Sequence, residues 1–425
     1  MKAYTNAYIL DGTENMKPYK GSVVVDGSII KAVIPEGGEL PEGCGTVDLS
    51  GRYIMPGLIN LHLHLPATGK PQKKQQDNAK KVRLLTSNAL FRYIVYKMGE
   101  KSARTQLLSG VTTIRTMGGV LDMDTRLRNN INSGRTLGPR VLACDMAVSV
   151  PGGHMAGSLA YMATSAEEAA GYVRKICEAK PDLIKLMITG GVLDAKKKGE
   201  PGELKMPFDY VKAACDEAHA HGLKVAAHVE SPEGVRVALE GGVDTIEHGA
   251  EPDDEIIRLF KEKGAVHVAT LSPALPYALF DRAISNVSET EKYNGEIVFK
   301  GIIDCAKACI KAGVPVGLGT DTGCPYITHY DMWREVNYYK KYCGVSAAMA
   351  LSTATLINAR IAGIDDVTGS IETGKEADLL ITSADPLKDL TVLREPYMVV
   401  ARGREITDLR IKKMKNVEKE LDKFV

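Results

Sequence analysis

The sequence predicts an α/β protein, a (β/α)8 TIM-type barrel with a small β-sandwich domain formed from both termini. Between residues 56 and 363, eight short apolar runs alternate with amphipathic segments, the rhythm of parallel strands with helices returning over them. Both ends of the chain instead carry closely spaced strands and turns. A length of 425 residues would suit two or three domains, or one large barrel with an appended module. An open doubly wound sheet shares much of this alternation, but eight units are what a closed barrel requires.

In chain order, residues 7–10, 21–27 and 29–34 read as short strands, with Asp26-Gly27 as a hairpin signal between β-branched runs. Residues 53–64, 112–117, 140–144, 183–188, 224–228, 245–248, 266–269 and 316–321 are the eight barrel strands. Amphipathic helices fall between most of them, for instance at 166–178, 210–221, 231–239, 254–263 and 296–312. Strand texture returns at 377–382 and 397–403, and residues 409–425 carry apolar positions at helical spacing among Lys and Glu. The predicted division is therefore 1–55 with 366–408 for the β-sandwich domain, 56–365 for the barrel and 409–425 for a helical tail. The Lys- and Gln-rich segment 66–83 follows the first barrel strand, where it would be either a lid over the barrel mouth or a solvated surface loop.

Composition narrows the function classes. Lys plus Arg number 54 against 53 Asp plus Glu, a net charge of +1 that points to neither nucleic acid nor an anionic membrane. With 44% hydrophobic and 25% charged residues, disordered and coiled-coil classes are excluded. No apolar run is long enough to span a bilayer, and the N-terminus lacks a signal-peptide pattern, so a cytoplasmic location is expected. The eight cysteines contain no CxxC and read as reduced thiols; Cys305 and Cys309, one helical turn apart, suit packing more than chemistry.

The chemistry lies in residues at strand ends. His62 and His64 are two apart on one strand, so their imidazoles share a face and could hold one metal, or simply form a surface pair. His228, His248 and Asp321 each close a predicted strand, the end where catalytic residues of barrels gather. Three histidines and a carboxylate form a common shell for zinc or a similar divalent ion. Lys185 sits inside the apolar strand 183–188, where an ammonium is costly and a neutral amine favoured. A neutral amine can take up carbon dioxide as a carbamate that bridges two cations; snorkelling or pairing with a carboxylate would be the structural alternative.

These residues carry a resemblance. Pro56-Gly57-Leu58-Ile59-Asn60-Leu61-His62-Leu63-His64 is similar to the opening signature of the metal-dependent amidohydrolase superfamily, and the segment from Gly369 to Leu379 resembles that family's return into its small β domain. Lys185 together with Ile246-Glu247-His248-Gly249 resembles the prolidase-like and Xaa-dipeptidase-like branch, related to imidazolonepropionase. The resemblance implies two divalent ions, with zinc expected and manganese or iron as alternatives. His62 and His64 would hold the more buried ion and His228 and His248 the more exposed one. N-carboxylated Lys185 would bridge them, and Asp321 would touch the buried ion and the nucleophilic water. The implied reaction is hydrolysis of an amide or peptide-like C–N bond, of the dipeptide or N-acyl amino acid type, with Asp321 shuttling the proton. Opening of a cyclic amide or imidazolone, or deamination, is a second reading, and an inactive barrel with a binding role a third.

Around this core, His154 in a Gly-Gly-His loop is a candidate to hydrogen-bond the substrate carbonyl, with capping of the loop as the structural alternative. His329, Tyr330 and Arg115 are candidate substrate contacts, Arg115 being equally suited to a buried salt bridge. Glu230 stands where the dipeptidase-like relatives usually carry an aromatic residue or histidine. A carboxylate there would disfavour an acidic substrate group and favour a cationic or amide-rich one, unless it turns away into a salt bridge. His219, His221 and His267 lack ligand spacing and read as structural. A small-molecule substrate is the expected partner. A homo-oligomer is expected too, with segment 66–83 and the C-terminal helix as candidate contact surfaces.

Overall fold

The computed structural model describes residues 1–71 and 77–425. Strands β1 (Lys2–Ile9), β2 (Tyr19–Asp26), β3 (Ile29–Pro35), β4 (Gly45–Asp48) and β5 (Tyr53–Pro56) open the chain. They are followed by β6 (Leu58–Leu63), β7 (Val111–Thr116), β8 (Arg140–Leu142), β9 (Ala147–Ser149), β10 (Ala160–Met162), β11 (Leu183–Met187), β12 (Lys224–Val229), β13 (Thr245–His248), β14 (Val266–Ala269) and β15 (Val316–Leu318). Near the end come β16 (Leu379–Thr382), β17 (Met398–Ala401) and β18 (Arg404–Ile406).

Both ends of the chain build one mixed sheet, in the order β18-β17-β16-β5-β1-β2-β3, with β4 added on β1. The β2–β3 hairpin forms where Asp26-Gly27 predicts it: Asp26 pairs with Ile29, and Gly27 adopts the left-handed φ of 59° that the tight turn needs. The expected sandwich is thus a single hydrogen-bonded network that branches at β1. Its apolar residues, among them Ile9, Val23, Ile54, Leu379 and Val400, share one cluster.

The single strand expected at 53–64 is divided. β5 belongs to the mixed sheet and β6 to a parallel one, and the switch occurs at Gly57, whose N–H donates to Asp378 while the next N–H, of Leu58, donates to Gly110. A side chain at Gly57 would bring its Cβ to 2.2 Å from Thr112 Oγ1, so the chain can cross between layers there only without one.

The middle of the chain forms two wholly parallel sheets, β6-β7-β8 and β10-β9-β11-β12-β13-β14-β15. They include strands in all eight predicted regions. Strands β9 and β10, each three residues long, are additional. Backbone hydrogen bonds cross between the two sheets. The Asp321 N–H donates to His62 O at 2.8 Å and the His64 N–H to Thr322 O at 2.9 Å, while at the other side the Asp182 N–H donates to Ala143 O at 2.7 Å.

The helices form for the expected local reasons. In Asp254–Lys263, for example, Asp253 caps the Ile256 N–H at 2.9 Å, Gly264 ends the helix at φ 65°, and Ile256, Leu259 and Phe260 form the buried face. Among the described residues, no helix is long and apolar enough to cross a membrane.

The C-terminal tail differs from expectation. Its helix is confined to Lys415–Leu421, and Val417 and Leu421 are buried against the rest of the chain rather than offered to a partner. It is latched by Arg334, 1% exposed, which pairs with Asp331, with Glu418 at 3.1 Å and with Asp422. Arg334→Ala leaves buried Asp331 without its cation, and Glu418 and Asp422 with Arg394 alone. A loss of about 3–5 kcal/mol is expected in urea denaturation, with faster proteolysis within residues 409–425.

Candidate active site

The strand ends bring their side chains together at one end of the parallel sheets. His62 and His64 extend from β6 on one face, with ring centroids 5.7 Å apart. His248, at the end of β13, lies 4.9 Å from His62, and His228, near the end of β12, lies 4.6 Å from His248. His154 stacks on His228 at 4.1 Å with the rings nearly parallel. Asp321, just beyond β15, places Oδ1 3.2 Å from His64 Nε2 and 3.5 Å from His62 Nε2. His248 and Asp321 have left-handed backbones, φ 67° and 49°, an unusual conformation for non-glycine residues and one that turns their side chains away from simple strand alternation.

Each of the four inner imidazoles has one nitrogen engaged by the protein. His62 Nδ1 contacts Glu247 at 2.7 Å, His64 Nδ1 the Gly118 carbonyl at 2.9 Å, His248 Nδ1 the Thr270 hydroxyl at 2.7 Å, and His228 Nε2 the Gly190 carbonyl at 3.3 Å. Where the acceptor is a carbonyl or carboxylate, that nitrogen donates its hydrogen and the other keeps a free lone pair. Burial, reinforced by the Lys185 charge, pushes His62 down to about 4, and burial holds His228 and His248 well below the usual imidazole value. They are neutral near pH 7, as metal ligands must be.

Lys185 is 1% exposed on β11, and its Nζ has no hydrogen-bond partner among the described residues. Burial lowers its pKa to about 8, against the opposing pull of Glu247 and Asp321. Asp321 goes the other way: burial raises it, but the surrounding histidines outweigh that and hold it well below the carboxylate range. Donor atoms of His62, His248 and Asp321 lie within 4.8 Å of one another. Free imidazole nitrogens, a buried carboxylate and a buried partnerless amine fit a divalent cation centre.

Glu247 was not among the candidates read from sequence, yet it organises the centre. Its carboxylate accepts from Arg115 at 2.8 Å and from Thr245 Oγ1 at 2.6 Å, in addition to the contact with His62. Burial raises its pKa, but Arg115 and His62 outweigh that and keep it ionised. Arg115 is therefore committed to a buried salt bridge, with its Nε donating to Leu61 O, and is corrected from a substrate contact to a support for His62.

The outer wall holds His154, whose Nδ1 meets Asp194 Oδ2 at 2.5 Å; that carboxylate also accepts from the Gly191 N–H at 2.9 Å. Glu230 finds no salt bridge: its Oε2 is covered and partnerless among the described residues, and burial, then Asp194 and Asp321, push its pKa well above the usual range. The buried Tyr277 hydroxyl, also partnerless there, counts Cys324, Asp321 and Glu230 among the groups that bear on it.

Two other candidates are engaged elsewhere. His329 donates from Nε2 to Ala67 O at 2.7 Å and meets Gln106 Nε2 through Nδ1 at 3.3 Å, so it fastens the start of segment 66–83 instead of facing a substrate. The Tyr330 hydroxyl accepts from the Met414 N–H at 2.7 Å and anchors the C-terminal tail. The segment 66–83, expected as a lid or a solvated surface loop, falls partly on residues 72–76, outside the described residues; beyond them, Asn78–Thr86 is a helix without buried residues.

A model of the amidohydrolase family matches residues 53–407. The structure of a candidate prolidase from Bifidobacterium longum superposes with a TM-score of 0.87 at 35% identity, covering 99% of this chain and 98% of that one. A Xaa-Pro dipeptidase with methionine bound in its active site gives 0.83 at 27% identity over 96% and 99% of the two chains. Ochratoxinase from Aspergillus niger is 26% identical over 374 residues, 81% of this chain and 73% of that protein.

Proposed function

The chain belongs to the amidohydrolase family, and from that premise we propose that it is a binuclear metal-dependent hydrolase of an amide or peptide-like C–N bond in a small molecule. A hydrolase acting on C–N bonds is what the family and its neighbours support. The observation that carries the finer reading is Lys185, a buried amine with no hydrogen-bond partner among the described residues, set among neutral imidazoles and an ionised carboxylate. As the N-carboxylate it would bridge two ions, with His62 and His64 on one and His228 and His248 on the other, and Asp321 beside the first. The two parallel sheets are then arcs of one (β/α)8 barrel, a reading supported by the hydrogen bonds from Asp321 to His62 and from His64 to Thr322.

When bound, the ions supply an acidified water and a polarised carbonyl. The chain's own residues do the rest. Asp321, ionised and close to both first-strand histidines, accepts the water's proton and returns it to the leaving nitrogen, which departs as a neutral amine. His154, held through Nδ1 by Asp194, stabilises charge on the carbonyl oxygen as the imidazolium of that pair, with an N–H on both ring nitrogens so that Nε2 donates. Glu230, which burial pushes towards its neutral acid, and Tyr277 bring to the pocket wall polar atoms without hydrogen-bond partners among the described residues, which favours a substrate carrying amide groups that can pair with them.

A panel of dipeptides, N-acyl amino acids and cyclic amides, assayed for amine release by metal-loaded protein, tests this reading. Release that is abolished by a chelator is expected for a linear amide; release from none of the panel would overturn the substrate class. The Lys185 shift adds a pH dependence. Below about 8 the amine is protonated and cannot take up carbon dioxide; above it the amine is free. Since only roughly a tenth is neutral at pH 7, carbon-dioxide-dependent uptake of metal by the stripped protein, compared at equal dissolved carbon dioxide, should quicken by up to about tenfold between pH 7 and 9, as followed by metal content against time.

A further inference from the structure

A second group of metal-binding side chains lies behind β14. His267 is on that strand, and Cys305 and Cys309 are on the helix Glu289–Ala312 packed over it; all three are 0% exposed. Their donor atoms lie within 4.8 Å of one another. His267 Nε2 is 2.7 Å from the His248 carbonyl, which can only accept, so the hydrogen sits on Nε2 and Nδ1 keeps its lone pair. That Nδ1 has no hydrogen-bond partner among the described residues. Gly249 makes room for the arrangement: at φ 81°, a Cβ there would lie 2.9 Å from His267 Nε2 and 3.1 Å from Cys305 Sγ.

Two cysteines at this spacing suit apolar packing, and both lie in the main core cluster. Packing alone leaves that buried imidazole nitrogen only the Cys305 thiol, a weak donor outside hydrogen-bond geometry, at a cost that an apolar residue would avoid. A cation removes that cost. One nitrogen and two sulfurs select a thiophilic ion, and two thiolates neutralise a divalent charge in surroundings where a net charge would be expensive. We propose that His267 Nδ1, Cys305 Sγ and Cys309 Sγ form a second metal site, distinct from the candidate active site, that takes a thiophilic divalent cation such as zinc. Without the ion, the Cys309 thiol and burial hold Cys305 protonated, and coordination as a thiolate releases that proton to solvent. The ion fastens the helix to β14, and the His267–His248 hydrogen bond ties this clamp to the end of β13.

Cobalt tests the site directly, because the candidate active-site ligands contain no sulfur and only thiolate ligation gives a sulfur-to-cobalt charge-transfer band in the near ultraviolet. Protein purified from cobalt-supplemented culture should show that band. It should persist in Cys324→Ser, which removes the thiol 3.6 Å from Asp321 Oδ2, and disappear in Cys305→Ala and Cys309→Ala together with one equivalent of cobalt. No band in the wild type, or a band that survives in both alanine variants, would overturn the proposal. Should the alanine variants fail to fold, His267→Gln keeps a donor for the His248 carbonyl and replaces the imidazole nitrogen by an amide oxygen, a weak ligand for a thiophilic ion. Cobalt affinity at this site should then fall at least tenfold, and unchanged affinity would count against the site.

Discussion

Asp321→Asn should retain its full complement of ions and lose roughly 10²–10⁴-fold in kcat, the usual worth of a positioned acid–base group. The amide is nearly isosteric and keeps an oxygen for the ion, so the site can still fill. It cannot take a proton from water, and so it has none to return to the leaving nitrogen. The native carboxylate is suited to that task because His62, His64 and His248 keep it ionised despite its burial. Elemental analysis alongside steady-state kinetics separates binding from chemistry; near-wild-type turnover with metal present would remove Asp321 from its assigned role.

Glu247→Gln is expected to act at a distance from the substrate and still do great harm. It strips the charge that balances Arg115, whose side chain is only 5% exposed, and weakens the acceptor that orients His62. A buried charge left alone costs about 3–5 kcal/mol, readable by denaturation of the metal-free protein, and a lost outer support lowers metal affinity roughly 10–100-fold. The double variant Glu247→Gln/Arg115→Met distinguishes the two effects. Replacing the whole pair should recover most of the stability, since a buried ion pair contributes little over apolar packing. Metal affinity should stay low, because His62 still lacks its carboxylate. Recovery of both together would mean that Glu247 serves the fold alone.

Much of this site was legible in the sequence. His62 and His64 share a face because strand side chains repeat every two residues, and the strand-end positions of His228, His248 and Asp321 follow from the alternation of apolar runs. Glu247 was hidden by the same rule, since adjacent residues on a strand should point to opposite faces. Yet Glu247 and His248 both reach His62, and it is at His248 that the backbone turns left-handed. Neither that turn nor the pairing with Arg115, 132 positions away, leaves a local trace. His329 and Tyr330 follow the last parallel strand as expected, but their direction is set by Ala67 and Met414, contacts between distant segments that periodicity does not report. The tail misled for a related reason: its charges look solvated until Glu418 and Asp422 meet Arg334.

The central claim is that Lys185 bridges two ions, and the most direct measurement is the number of ions per chain in wild type and in Lys185→Ala, both purified from zinc-supplemented culture with bicarbonate. Wild type should hold two ions at the candidate active site, over and above any at His267, Cys305 and Cys309, and Lys185→Ala should lose at least one of them with its activity. Equal ion counts in the two proteins would contradict the account.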